Sequence, residues 1–156
     1  MKLLMDADCL IKLTKARVKE PICTAFRITV PDRVKQESVD QAPGLPDAEC
    51  ISNNITSKRI AVLSSGRTYP NDDDALVGEF NPRVFDAVGT DDRRLIRRLR
   101  ALSIPFATPA ICLLLLSRKL RYESAHALLC LQQLQPFISE DEFVTVRILM
   151  EKEKKS

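Results

Sequence analysis

Two short apolar runs in this chain each end on a pair of acids: Leu3-Leu4-Met5 runs into Asp6-Ala7-Asp8, and Val84 to Thr90 into Asp91-Asp92. Parallel strands of one sheet bring their carboxyl ends to one edge, which in open α/β folds is the ligand crevice. Two such strands would gather four carboxylates in one cleft. Carboxylates gathered that way repel, raise one another's pKa, and are stable together chiefly around a hard cation. Asp6 carries the most weight, because it directly follows residues expected to be buried, where an unpaired carboxylate is expensive. Immediately after the second pair stand Arg93, Arg94, Arg97, Arg98 and Arg100. Guanidinium matches phosphate bidentately, so a polyanion held by the arginines and cut at the acids is one expectation. The wet face of an amphipathic helix is the other.

The elements that must position these residues follow from periodicity. Residues 2–5 read as a buried strand and 9–18 as a helix with Leu10, Ile11 and Leu13 on one side. Residues 26–30 alternate and are β-branched, as in a strand. Pro31 then opens a helix over 32–40, with Glu37 one turn beyond Arg33. A Pro- and Gly-containing loop over 41–47 precedes a short helix at 48–56 and a strand at 59–63. Asp72-Asp73-Asp74 suits a helix start. A strand is expected over 84–88, a helix over 91–102 capped by Thr90, and an edge strand over 104–107. Asp86 is expected to point away from the acids or to pair with a base. From residue 109 onward the pattern is helical, with a Ser139-Glu140-Asp141-Glu142 capping box opening the last helix. Alternation of strand and helix predicts a three-layer α/β/α sandwich with a mostly parallel sheet of four or five strands and a helical C-terminus.

Composition sets bounds. At 156 residues the chain can bury a substantial core, and one domain over 1–150 is expected, with a short charged, disordered tail at 151–156. The longest apolar run, Ala110 to Leu116, is too short to span a bilayer and reads as a core helix. One Lys and three apolar residues before an acid do not make a secretory signal, so a cytoplasmic protein is expected. Five cysteines stand singly and read as reduced, small core residues. The one histidine, His126, reads as structural or exposed, and a histidine pair acting as acid and base is impossible in one chain. With four glycines and no Gly-rich loop, a dinucleotide or P-loop site is not expected. Sparse aromatics and the absence of Trp argue against base-stacking platforms.

Taken in order, Leu3-Leu-Met-Asp6-Ala-Asp8, Val30-Pro31-x-x-Val34-x-x-Glu37, Asp72-x-Asp74-Ala-Leu and Gly89-Thr90-Asp91-Asp92-Arg93 resemble a PIN-domain protein. The stretch from Arg121 to Phe143 is similar to the C-terminal helices of small prokaryotic PIN proteins, including VapC-type toxins. The resemblance implies a metal-dependent ribonuclease with Asp6, Glu37, Asp74 and Asp92 as its four acids, and Asp8 and Asp91 as second choices. It implies Mg²⁺ or Mn²⁺ as cofactor and RNA as substrate, and from their own chemistry the Thr90 hydroxyl and the guanidinium groups of Arg93, Arg94 and Arg97 are expected to contact its phosphates. It also implies an antitoxin partner that sets a basic side chain in the cleft, and a partner groove or homodimer face on the apolar helices near residues 10–18 and 45–60. Asp6-Ala-Asp8 resembles as well the nucleophile motif of haloacid-dehalogenase-type phosphatases, in which the first Asp is phosphorylated and the second is a general acid. A PIN-like module that binds RNA or protein without cutting is the non-enzymatic alternative.

Overall fold

Five short runs of Leu, Val, Ile and small residues form the middle layer of the protein. The computed structural model describes residues 1–153. The strands are β1 (Lys2–Met5), β2 (Arg27–Pro31), β3 (Ile60–Leu63), β4 (Ala87–Gly89) and β5 (Phe106–Ala107), all parallel, in the order β3-β2-β1-β4-β5. The helices are α1 (Ala7–Lys15), α2 (Lys19–Ala25), α3 (Asp32–Lys35), α4 (Pro46–Thr56), α5 (Asp72–Glu79), α6 (Arg93–Ala101), α7 (Pro109–Leu120), α8 (Ser124–Leu134) and α9 (Glu140–Glu153). This is the three-layer α/β/α sandwich that the alternation predicts.

Parallel neighbours need right-handed crossovers. Connections from β1 to β2 and from β2 to β3 therefore lie on one face, and those through α5 and α6 on the other. The reversal falls between β1 and β4, which is where open α/β sheets form their crevice. Leu3, Leu4 and Met5 of β1 are fully buried, and one apolar core runs from Leu3 to Met150. Helix α7 packs on α1, α2, α8 and α9, so the run at 110–116 is a core helix as expected. No helix among the described residues is long and apolar enough to cross a membrane.

Several boundaries differ from the sequence expectation, each for a local reason. The helix expected over 9–18 runs from Ala7 to Lys15, because Arg17 takes a left-handed φ of 58°, and a further helix absent from that expectation, α2, starts at Lys19. Strand β4 is confined to 87–89, because Val84 and Phe85 turn back to donate to the Asn81 carbonyl. Helix α6 is capped by Asp92, not Thr90. In α9 the capping box is half formed: the Glu142 amide donates to Ser139 Oγ, but the Glu142 carboxylate accepts from the Ala110 amide and ties α9 to α7. Asp86 leaves the strand and accepts from the Lys2 amide at 2.6 Å. Cys9, Cys23 and Cys112 are buried as expected, whereas Cys50 is exposed and Cys130 half-buried. His126 is exposed, edge-on to Tyr122. Residues 151–153 continue α9 rather than forming a tail, and 154–156 lie outside the described residues.

Candidate active site

Asp6 stands at the carboxyl end of the central strand β1. Its amide donates to the Gly89 carbonyl, and its own carbonyl accepts from Leu10 in the first turn of α1. The carboxyl does not cap α1. It accepts instead from Thr90 Oγ1 at 2.9 Å, across the gap between the ends of β1 and β4. Asp6 is 9% exposed and Thr90 fully buried. Burial drives the Asp6 pKa up to about 7, the Thr90 hydroxyl holds it down in part, and the charges of Asp8 and Asp73 add to the rise. A carboxyl with that pKa holds or releases a proton near neutrality.

Helix α5 supplies the next acids. Asn71 is its N-cap, accepting from the Asp74 amide at 2.9 Å, and this sets the helix phase. Ala75 and Leu76 are buried at 0% exposure, and Asp72 projects from the same side. Asp72 is driven up to about 7, first by burial, then by contact with the Glu37 carboxyl, then by the charge of Asp6. Arg33 approaches it at 3.5 Å, yet Asp72 Oδ2 is buried without a hydrogen-bond partner. Asp73 is raised by burial and by Asp92, against the pull of Arg94 and Arg98.

Glu37 reaches Asp72 from a π-helical segment, Gln36–Asp40, that continues α3. Such wide turns displace a side chain relative to a regular helix and recur at functional sites. An acidic row therefore runs from Glu37 through Asp72, Asp6 and Asp73 to Asp92, with Asp8 alongside on α1. Asp6, Glu37 and Asp92 of the four expected acids stand in it. Asp74 does not. Its Oδ1 accepts from Arg98 at 2.6 Å and its Oδ2 from Asn71 at 3.0 Å, on the opposite side of α5. Asp72 and Asp73 are the acids that sequence reasoning passed over. The signal was present in the helical phase: at about 100° per residue, Asp72 lines up with Ala75 and Leu76 while Asp74 points away.

Asp92 is partly committed, since its Oδ1 accepts from the Arg94 and Leu95 amides at 2.7 and 2.8 Å. Its own amide donates to Thr90 Oγ1 at 3.2 Å, so one hydroxyl links both strand-end acids. Asp91 is taken by Lys12, whose Nζ donates to Oδ2 at 2.6 Å from α1. This pair bolts α1 to the loop after β4. Lys12→Met is expected to cost about 1–3 kcal/mol, because Asp91 is left half-buried and unpaired. A urea midpoint equal to wild type would show that the bolt contributes nothing.

The arginine helix serves two sides. Arg94 and Arg98 offset the acids of α5. Arg93, Arg97 and Arg100 line a groove of about 610 Å³, shared with Thr108 and the start of α9. Beside the expected partner surfaces, Leu10, Leu13 and Ile51 pack into the core, and only Leu45 stands exposed.

Carboxylate oxygens are the right donors for a hard cation, and the orphaned Oδ2 of Asp72, a group that also feels the Asp6 charge, fits one. As arranged, no group of three or more acid, histidine or cysteine side chains among the described residues converges closely enough to hold a metal. No family model, curated protein or solved structure matches this chain.

Proposed function

We propose that the protein is a divalent-metal-dependent endoribonuclease of the PIN type, with Asp6 at the centre of its site. One observation carries this reading: a buried carboxyl at the switch point of a parallel sheet, raised to about 7, with further acids around it and no basic side chain among the described residues paired to it. Carboxyls shifted in this way by burial and by neighbouring acids cluster at functional sites, which supports the reading. Asp6 and Asp72, supported by Glu37, would hold Mg²⁺ or Mn²⁺. When bound, the ion supplies positive charge to the phosphodiester and eases deprotonation of water.

The chain's own residues do the remaining work. Thr90 keeps the Asp6 carboxyl aimed across the crevice, and Arg93 and Arg97, in the groove they share with Asp91 and the acids that begin α9, would take phosphates of the same strand. Arg94 also tempers the charge of Asp73. An antitoxin and a second copy of the chain belong to the same proposal. Cleavage of RNA by the purified protein in Mn²⁺, abolished by EDTA, is the expected result. Cleavage indifferent to EDTA would overturn it.

One observation favours a second reading, an RNA-binding module without catalysis: among the described residues the acids do not converge three at a time. Titration with Mn²⁺ separates the two, since the module binds RNA but no divalent ion.

A further inference from the structure

A second pocket, of about 200 Å³, opens between α3, the loop joining β3 to α5, and α5 itself. It is built with care. The ring of Tyr69 lies so close on Gly78 that a Cβ there would come within 2.5 Å of it, which accounts for a glycine inside a helix. The Tyr69 hydroxyl donates to Glu79 Oε1 at 2.8 Å, and Ser65 Oγ donates to the same oxygen. The Arg67 amide donates to Ser65 Oγ, and Gly66 takes the positive φ of 73° that lets the loop turn back. The loop is thereby pinned to α5 and the pocket is formed in advance.

Its chemistry is specific. Arg33 and Arg67 bring two guanidinium groups, and Asp32 and Glu79 bring two carboxylates. The lining carries no net charge, so it suits a neutral polar group better than a phosphate. It is smaller than the several hundred Å³ of a whole-ligand site and matches a single ring system. Arg33 Nε is buried without a hydrogen-bond partner. Arg33 also faces Asp72 at 3.5 Å, so an occupant of this pocket sits beside the acidic row.

We propose that this pocket receives one unstacked guanine base of an RNA strand. Arginine donors match the O6 and N7 acceptors of guanine, and a carboxylate matches its N1–H and N2–H donors. Uracil lacks that pair of adjacent donors. Splayed single bases read on their edges are the ordinary mode of sequence-specific RNA recognition. The proposal rests on the nuclease reading and adds to it a preference for guanosine next to the cut.

Calorimetric titration of the full-length protein in EDTA tests it, with guanosine 5′-monophosphate, uridine 5′-monophosphate and inorganic phosphate as probes. Guanosine monophosphate is expected to bind about tenfold tighter than the uridine nucleotide, with phosphate failing to displace it. Asp32→Asn and Arg67→Ala alter exposed side chains and are each expected to erase that preference. Equal binding of the two nucleotides, displacement by phosphate, or unchanged preference in both variants would overturn it. The titration contains no divalent ion and reads no cleavage, so its failure leaves the EDTA test of the nuclease untouched, and the reverse holds too.

Discussion

Asp6→Asn is expected to abolish RNA cleavage and, in the same protein, to raise stability above neutral pH in the absence of metal. The two effects have one cause. The Asp6 carboxyl is raised from 3.8 to about 7 in the folded protein, chiefly by burial. Between about pH 4 and pH 7 the folded state keeps a proton that the unfolded chain has released, so stability is greatest below the unfolded pKa and falls as pH rises to the folded one. At 1.36 kcal/mol per unit the ceiling is about 4 kcal/mol, and a realistic value is on the order of 2–4 kcal/mol. Asparagine has no charge to desolvate, and its carbonyl still accepts from Thr90. In EDTA at pH 8 the variant should therefore melt roughly 5–15 °C above wild type, with little difference at pH 4. The raised pKa of Asp72 acts in the same direction. A variant less stable than wild type at pH 8 would mean that the Asp6 carboxylate is already compensated, and the case for an uncompensated buried charge would go with it.

The second large effect is expected at Thr90, which is fully buried and serves two acids at once. Its Oγ1 donates to Asp6 Oδ2 and accepts from the Asp92 amide. Thr90→Val keeps the shape and removes both bonds. Losing one charge-assisted and one ordinary hydrogen bond in a buried setting costs about 2–4 kcal/mol. The Thr90 hydroxyl is also the group that lowers the Asp6 pKa, so the variant should lose stability more steeply as pH rises. In the Asp6→Asn background the same substitution should cost distinctly less, because the charged acceptor has gone. Urea unfolding of the two single variants and the double variant measures this coupling directly. Strict additivity would separate Thr90 from Asp6.

Much of this architecture is legible in the chain. Strand and helix alternate with little ambiguity through residue 107, and Asp6 is marked by what precedes it, three apolar residues that have nowhere to go but a central strand. The acids of α5 are legible in helical phase and not in the motif. The ordered motif favours Asp74, whereas the buried Ala75 and Leu76 fix the phase that turns Asp72 inward. Glu37 is at the expected place, but the π-helical turn that delivers it has no signature in residue types. Asp91 and Arg98 are spoken for by partners 79 and 24 residues away, Lys12 and Asp74, and such long-range pairings are invisible to periodicity. The pocket at Arg33 and Arg67 was missed altogether. Gly78 is its clearest trace: a glycine amid helix-forming residues asks what lies against it.

A cation centre bounded by Asp6 and Asp72 is the central claim, and diffraction from crystals soaked in Mn²⁺ tests it most directly. The account predicts an anomalous peak at about 2.1 Å from oxygens of both carboxylates, with Asp74 still paired to Arg98. A crevice without a peak, or a peak on Asp74 with Asp72 turned away, would contradict it.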